Sequence, residues 1–98
     1  MTRHVIFWAL KDNIEDKAAV KTAAKEALEG LVGKIEGLVS VKVNIDPLET
    51  SNVDMMLDSE FINPEALAAY ANHPAHVAVA DTYVRPYTAT RSCMDYEI

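Results

Sequence analysis

One cysteine, Cys93, is all the chain has, so no internal disulfide can form and no metal site can be assembled from several thiolates. Positive charge is also in short supply. Nine Lys and Arg stand against fifteen Asp and Glu, a formal charge of −6 at pH 7. That balance repels nucleic-acid phosphates and anionic membrane surfaces, and no basic cluster offsets it, so neither is expected as a partner. No run of apolar residues reaches membrane-spanning length, and the first residues lack the long apolar stretch of a secretory signal. A cytoplasmic location is the expectation, in keeping with the single thiol. Also missing are the glycine-flanked serine of a nucleophile elbow, internal repeats, low-complexity tracts and linkers. What is left is one domain over residues 1–98. It is folded rather than disordered, because half its residues are hydrophobic and 24% are charged. A core of this size gains from a partner subunit, which makes an oligomer the first expectation.

Alternation of apolar and polar residues predicts a strand over Arg3 to Leu10, with His4, Ile6, Trp8 and Leu10 on one face and Val5, Phe7 and Ala9 on the other. Both faces are apolar, so both need a cover. After the polar turn Lys11-Asp12-Asn13, the stripe Val20, Ala23, Ala24, Ala27, Leu28 and Leu31 predicts a helix over Asp16 to Leu31. Gly30, Gly33 and Gly37 loosen its end, and Ile35 extends its apolar face. Leu38 to Ile45 reads as a second strand with Val39, Val41, Val43 and Ile45 on one side, and Val53 to Phe61 as a third that pairs with it. Asn63-Pro64-Glu65 is a helix start: a side-chain cap, a proline at the first position and a carboxylate at the positive end. That helix runs to about Asn72, a second covers Ala75 to Val84 until Pro86 stops it, and Thr88 to Ile98 forms the last strand. The order βαββαβ is that of an α+β ferredoxin-like sandwich, with a four-stranded antiparallel sheet and its helices on one face. The opposite face, apolar on the first strand, is the natural surface for a homodimer.

The densest chemistry lies in Tyr70-Ala71-Asn72-His73-Pro74-Ala75-His76-Val77. Pro74 has no N–H to donate and disfavours helical geometry at His73, so one helix ends and another opens at this point. Tyr70 then falls in the last turn of the incoming helix and His76 in the first turn of the outgoing one, where they can converge on one end of a pocket. Two readings stand side by side: a pair of titratable groups poised for acid–base work, or a plain helix junction with Tyr70 as a core ring and His76 at the surface. His73-x-x-His76 has the spacing of metal ligands, but Pro74 sets His73 outside the helix, and His4 or Asp81 would have to complete the set, so no metal is expected. Cys93 has no activating base near it in sequence and is expected as a small buried residue; Tyr83 and Tyr96 are expected as core or interface rings.

With these residues in view, the chain resembles the stress-responsive A/B barrel (Dabb) domain family. The resemblance is carried by His4-Val5-Ile6-Phe7-Trp8, by Ile35 to Val41, by Ser59-Glu60-Phe61, by the tract Tyr70 to Val77 with its His-Pro-Ala-His core, and by Met94-Asp95-Tyr96. It implies a homodimer whose two sheets face each other as an α/β barrel. A plant polyketide cyclase branch of the family, that of olivetolic acid cyclase, closes rings by an aldol-type step without metal or organic cofactor. The resemblance to that branch implies Tyr70 and His76 as its acid–base pair and His4 as a further group in the same pocket; Ile6 and Trp8, on the strand face of His4, with Met55 and His73, are expected as its lining. Met55 stands where that branch carries another pocket histidine. The resulting expectation is a cofactor-free dimer that binds a small, mostly apolar molecule, acting as an acid–base cyclase or lyase on a polyketide-like compound. The alternative is a non-catalytic, stress-associated structural dimer. A pocket of roughly 300 Å³ or more reaching His4, Tyr70 and His76 separates the two.

Overall fold

A computed structural model describes all of residues 1–98. β1 (Thr2–Leu10), α1 (Lys17–Glu29), β2 (Leu38–Asn44), β3 (Met55–Phe61), α2 (Pro64–Ala71), α3 (Pro74–Val79) and β4 (Thr88–Glu97) follow in that order. The sheet runs β2-β3-β1-β4 with every neighbouring pair antiparallel. This is the ferredoxin-like α+β arrangement that the alternating strands predict. Side-chain caps start the helices: Asp16 accepts from the Ala19 N–H at 3.0 Å and Asn63 from the Ala66 N–H at 2.8 Å. No helix is long and apolar enough to cross a membrane.

The core fills the space between the helices and one sheet face. Ile6, Trp8 and Leu10 of β1 meet Leu57 and Phe61 of β3, Val43 of β2, and Ala24, Leu28, Leu31 and Ile35 from α1 and the turn after it. Burial of this apolar surface is the main force that closes the layer. The outer edge of β2 is protected by α1. Glu29 accepts the Val43 N–H at 2.9 Å, and the Lys25 ammonium donates to the Val43 carbonyl at 2.7 Å and to Glu29 at 2.8 Å, so backbone groups that would otherwise template a foreign strand are occupied.

Two local departures from simple patterning shape the molecule. β2 is not a clean alternation. Its register against β3 shifts between Leu38 and Ser40, which turns Val39 outward at 41% exposure while Leu38 and Val43 stay in the core. The segment after the His73-Pro74 corner is not one uniform helix either. α3 ends at Val79, a π-helical turn covers Ala80–Val84, and a 3₁₀ turn over Arg85–Tyr87 leads into β4. This widened turn sets Ala80 and Val84 inward.

Candidate functional site

The corner delivers what its proline dictates. His73 is extended (φ −67°, ψ 133°) and caps α3, with its Nδ1 accepting the Ala75 N–H at 3.1 Å. Tyr70 at the end of α2 and His76 at the start of α3 meet with ring centroids 4.1 Å apart and planes tilted by 32°. Phe61, at the end of β3, stands edge-on to Tyr70 at 5.0 Å, and His4 lies 6.3 Å from both rings. The two helices joined at the corner and the first strand, distant from them in sequence, thus bring His4, Tyr70 and His76 to one place. They line a cavity of about 340 Å³ between sheet and helices, open on one side.

Ile6 and Trp8 of β1 lie in the cavity wall, with Leu28, Leu57, Leu67, Ala80 and Val84 adding apolar surface. Two of the residues expected there do not line it. Met55 is opposite Trp8 in the β1–β3 ladder and is sealed in the core, whereas Leu57, opposite Ile6, takes the lining position on β3. His73 is held against the backbone as a cap, so its ring is turned away from the cavity. Conversely, Arg85 and Thr88 line the cavity without having been singled out in the sequence, and Arg91, which the sequence marks only as a charge on the sheet or its rim, able to pair across a dimer or to lie at a solvated edge, lines it too.

The electrostatics differ between the two stacked rings. Burial pushes the Tyr70 hydroxyl up to about 12, so it stays protonated and can only donate or accept as a neutral group. Burial lowers His76; its hydrogen bond to the Ala71 carbonyl opposes that shift, and the nearby Arg85, His4 and Arg91 reinforce it. His76 is therefore neutral at pH 7. Its Nδ1–H donates to the Ala71 carbonyl at 3.3 Å, which leaves Nε2 with a free lone pair.

His4 has partners that sequence spacing conceals. Its Nδ1 is hydrogen-bonded to the Asp95 carboxylate, directly across the β1–β4 ladder. Cys93, two residues earlier, donates its thiol to the same carboxylate at 3.4 Å and lies 3.6 Å from His4 Nδ1. Cys93 is exposed rather than buried, because β4 is the edge strand and the helices stop short of it. Desolvation beside the sheet and the Asp95 carboxylate push its thiol up, which keeps it protonated. His4 itself is fixed from behind: Ser59 Oγ donates to its backbone carbonyl at 2.9 Å. Of the residues weighed above as metal ligands, only His4 belongs to a close group of potential donors, with Cys93 and Asp95; His73, His76 and Asp81 do not.

A family model, "Stress responsive A/B Barrel Domain" (Dabb), matches residues 2–98. No match is found among curated proteins. Among solved structures, the chain is similar to a dimeric ferredoxin-like protein of unknown function from Bacteroides fragilis, at 31% identity and a TM-score of 0.91, over 99% of this chain and 95% of that one. A protein from Arabidopsis thaliana shares 24% identity with a TM-score of 0.82, covering 100% and 95%. A hydroxynitrile lyase from Passiflora edulis shares 15% identity with a TM-score of 0.80, covering 99% and 92%.

Proposed function

The chain belongs to the stress-responsive A/B barrel (Dabb) family, and on that premise we propose that it is a homodimer whose cavity binds a small, mostly apolar molecule and acts on it by cofactor-free acid–base chemistry. The observation that carries this reading is the 340 Å³ cavity closed at one end by the Tyr70–His76 stack, with His4 in the same wall. A structural dimer with no ligand has no use for a concave apolar space that ends on a neutral imidazole and a protonated phenol.

The chemistry follows from the two protonation states. Neutral His76 Nε2 takes a proton from a carbon next to a carbonyl, and the electron pair left behind moves onto the carbonyl oxygen. The Tyr70 O–H donates to that oxygen as its negative charge develops. The enolate carbon then bonds to a second carbonyl of the same molecule, and the imidazolium returns its proton to the new alkoxide. This is a ring-closing aldol step in which every proton taken is given back. A lyase runs related chemistry in reverse: the base removes a hydroxyl proton, the oxygen's electron pair forms a carbonyl as the carbon–carbon bond breaks, and the departing carbanion takes the proton back from the imidazolium. The lyase from Passiflora edulis has the same fold. His4, held by Asp95 beside the Tyr70–His76 stack, orients the substrate carbonyl.

The reading is tested with linear β-polyketone thioesters and with an aromatic cyanohydrin as alternative substrates. Where turnover is found, His76→Ala should lower it by about 10²–10⁴-fold with the fold intact, as for a general base. Tyr70→Phe should cost less, since it removes one donor and keeps the ring. An alanine variant at His76 that turns over normally overturns the assignment.

A further inference from the structure

Three arginines are present in the whole chain, and two of them line the cavity. The third, Arg3, is on the opposite sheet face and is paired with Asp58 and Glu60. Arg85, at the rim, is paired with Asp81 one helical turn earlier. Arg91 has no carboxylate within ion-pairing distance. The two acids that share its face of β4 are both engaged elsewhere: Asp95 with His4 and Cys93, and Glu97 with Thr2 Oγ1 at 2.5 Å. Arg91 stands opposite Trp8 across the β1–β4 ladder, and both residues line the cavity. Arg91 is solvent-exposed beside Cys93 while it lines the cavity, and its guanidinium offers five donors in a rigid fork matched to a planar, two-oxygen anion.

We propose that the cavity's ligand carries a carboxylate on its apolar body, bound by Arg91 with Arg85 at the rim, while the body lies over Ile6, Trp8 and Leu57. This rests on the reading of the cavity as a small-molecule site and adds the chemical class of its ligand. It also sets an orientation. The anionic end is held at β4, which leaves the apolar body to extend along the sheet toward the Tyr70–His76 stack.

Trp8 is the one tryptophan of the chain and lines the cavity, so its fluorescence reports entry of a ligand. Titration of the full-length protein with octanoate, 1-octanol, octylammonium and octyl phosphate compares four head groups on one tail. Octanoate should bind about tenfold or more tighter than 1-octanol, the scale of a charge-assisted hydrogen bond, and octylammonium should be the weakest. Arg91→Gln should bring octanoate to the level of 1-octanol and leave 1-octanol unchanged, Arg91→Lys should restore part of the difference, and Arg85→Gln should do less because Asp81 already engages that side chain. Far-UV circular dichroism establishes that each variant is folded. Equal binding of octanoate and 1-octanol, or an Arg91→Gln variant that keeps its preference, overturns this inference while leaving the cavity as a binding site. Tighter binding of octyl phosphate than of octanoate overturns the carboxylate assignment. If none of the four probes binds, the small-molecule reading of the cavity fails together with this one.

Discussion

At the scale of single residues, the site depends on His76 being neutral and Tyr70 being protonated over the same pH range. Both follow from burial, which disfavours the imidazolium and the phenolate alike. The proton affinity of His76 lies below the ordinary histidine value of about 6.5, and the sign of its pH effects follows. Between its lowered midpoint and about pH 6.5 the unfolded chain binds more protons at this side chain than the folded chain does. Stability from this residue is thus present above about pH 6.5 and is lost as pH falls through that window. Any turnover that needs the free base should hold to more acidic pH than an exposed histidine would allow. The Cε1–H resonance of His76, assigned by its loss in His76→Gln, should titrate with a midpoint below about 6.5. Arg91→Gln should move that midpoint upward, since a nearby cation is removed. Ultraviolet titration should find one tyrosine ionising at about 12, lost in Tyr70→Phe. A His76 midpoint at or above the free value would remove the electrostatic basis for its role as a base.

At the scale of elements, strand alternation and cap chemistry placed the strands, α1 and α2 within one or two residues, because each has a local cause that needs no partner. The misreadings occur where a neighbour decides. Val39 alternates correctly for a core position, but the bulge that lets β2 pair with β3 turns it out. Ala75 to Val84 has an uninterrupted helical pattern, yet its second half widens to a π turn, which composition does not encode. Met55 and Leu57 have the same parity on β3, and only the ladder reveals that Leu57 is the one level with Ile6. The Asp95 and Cys93 contacts with His4 join positions about ninety residues apart, and only the β1–β4 register brings them together. Glycine supplies a test at this scale. Gly33 and Gly37 both have positive φ, 88° and 85°, but a Cβ at Gly33 would meet open space while one at Gly37 would come within 2.5 Å of the Ala66 Cβ on α2. Gly33→Ala should cost about 1 kcal/mol in backbone strain alone. Gly37→Ala should cost more, about 2–4 kcal/mol, because α2 must also move away from the turn before β2. Urea denaturation of the two variants measures the difference, and equal losses would mean that α2 shifts freely.

At the scale of the whole molecule, the sheet has one face closed by helices and one without a cover. The uncovered face carries Val5, Phe7 and Ala9 from β1 beside Ser92, Met94 and Tyr96 from β4, with Phe7 at 38%, Tyr96 at 40% and Met94 at 66% exposure. Next to this apolar strip, Arg3 is paired with Asp58 and Glu60, and Lys42 stands opposite Asp58 on β2, so a polar margin borders it. An apolar centre with a charged border is the anatomy of an interface, and a two-fold axis through it lets the same patch cover itself. Sedimentation at micromolar concentration should therefore give twice the 10.8 kDa chain mass. Phe7→Asp places a carboxylate in the middle of the strip, where a dimer would bury it without a partner, at a cost of several kcal/mol. The variant should sediment as a monomer or lose its fold. The cavity lies on the other side of β1, lined by Ile6 and Trp8 rather than Phe7, so a folded monomer should still quench Trp8 fluorescence with octanoate. Wild-type protein that sediments as a folded monomer would refute the dimer, and a Phe7→Asp variant that stays dimeric would move the interface to another surface.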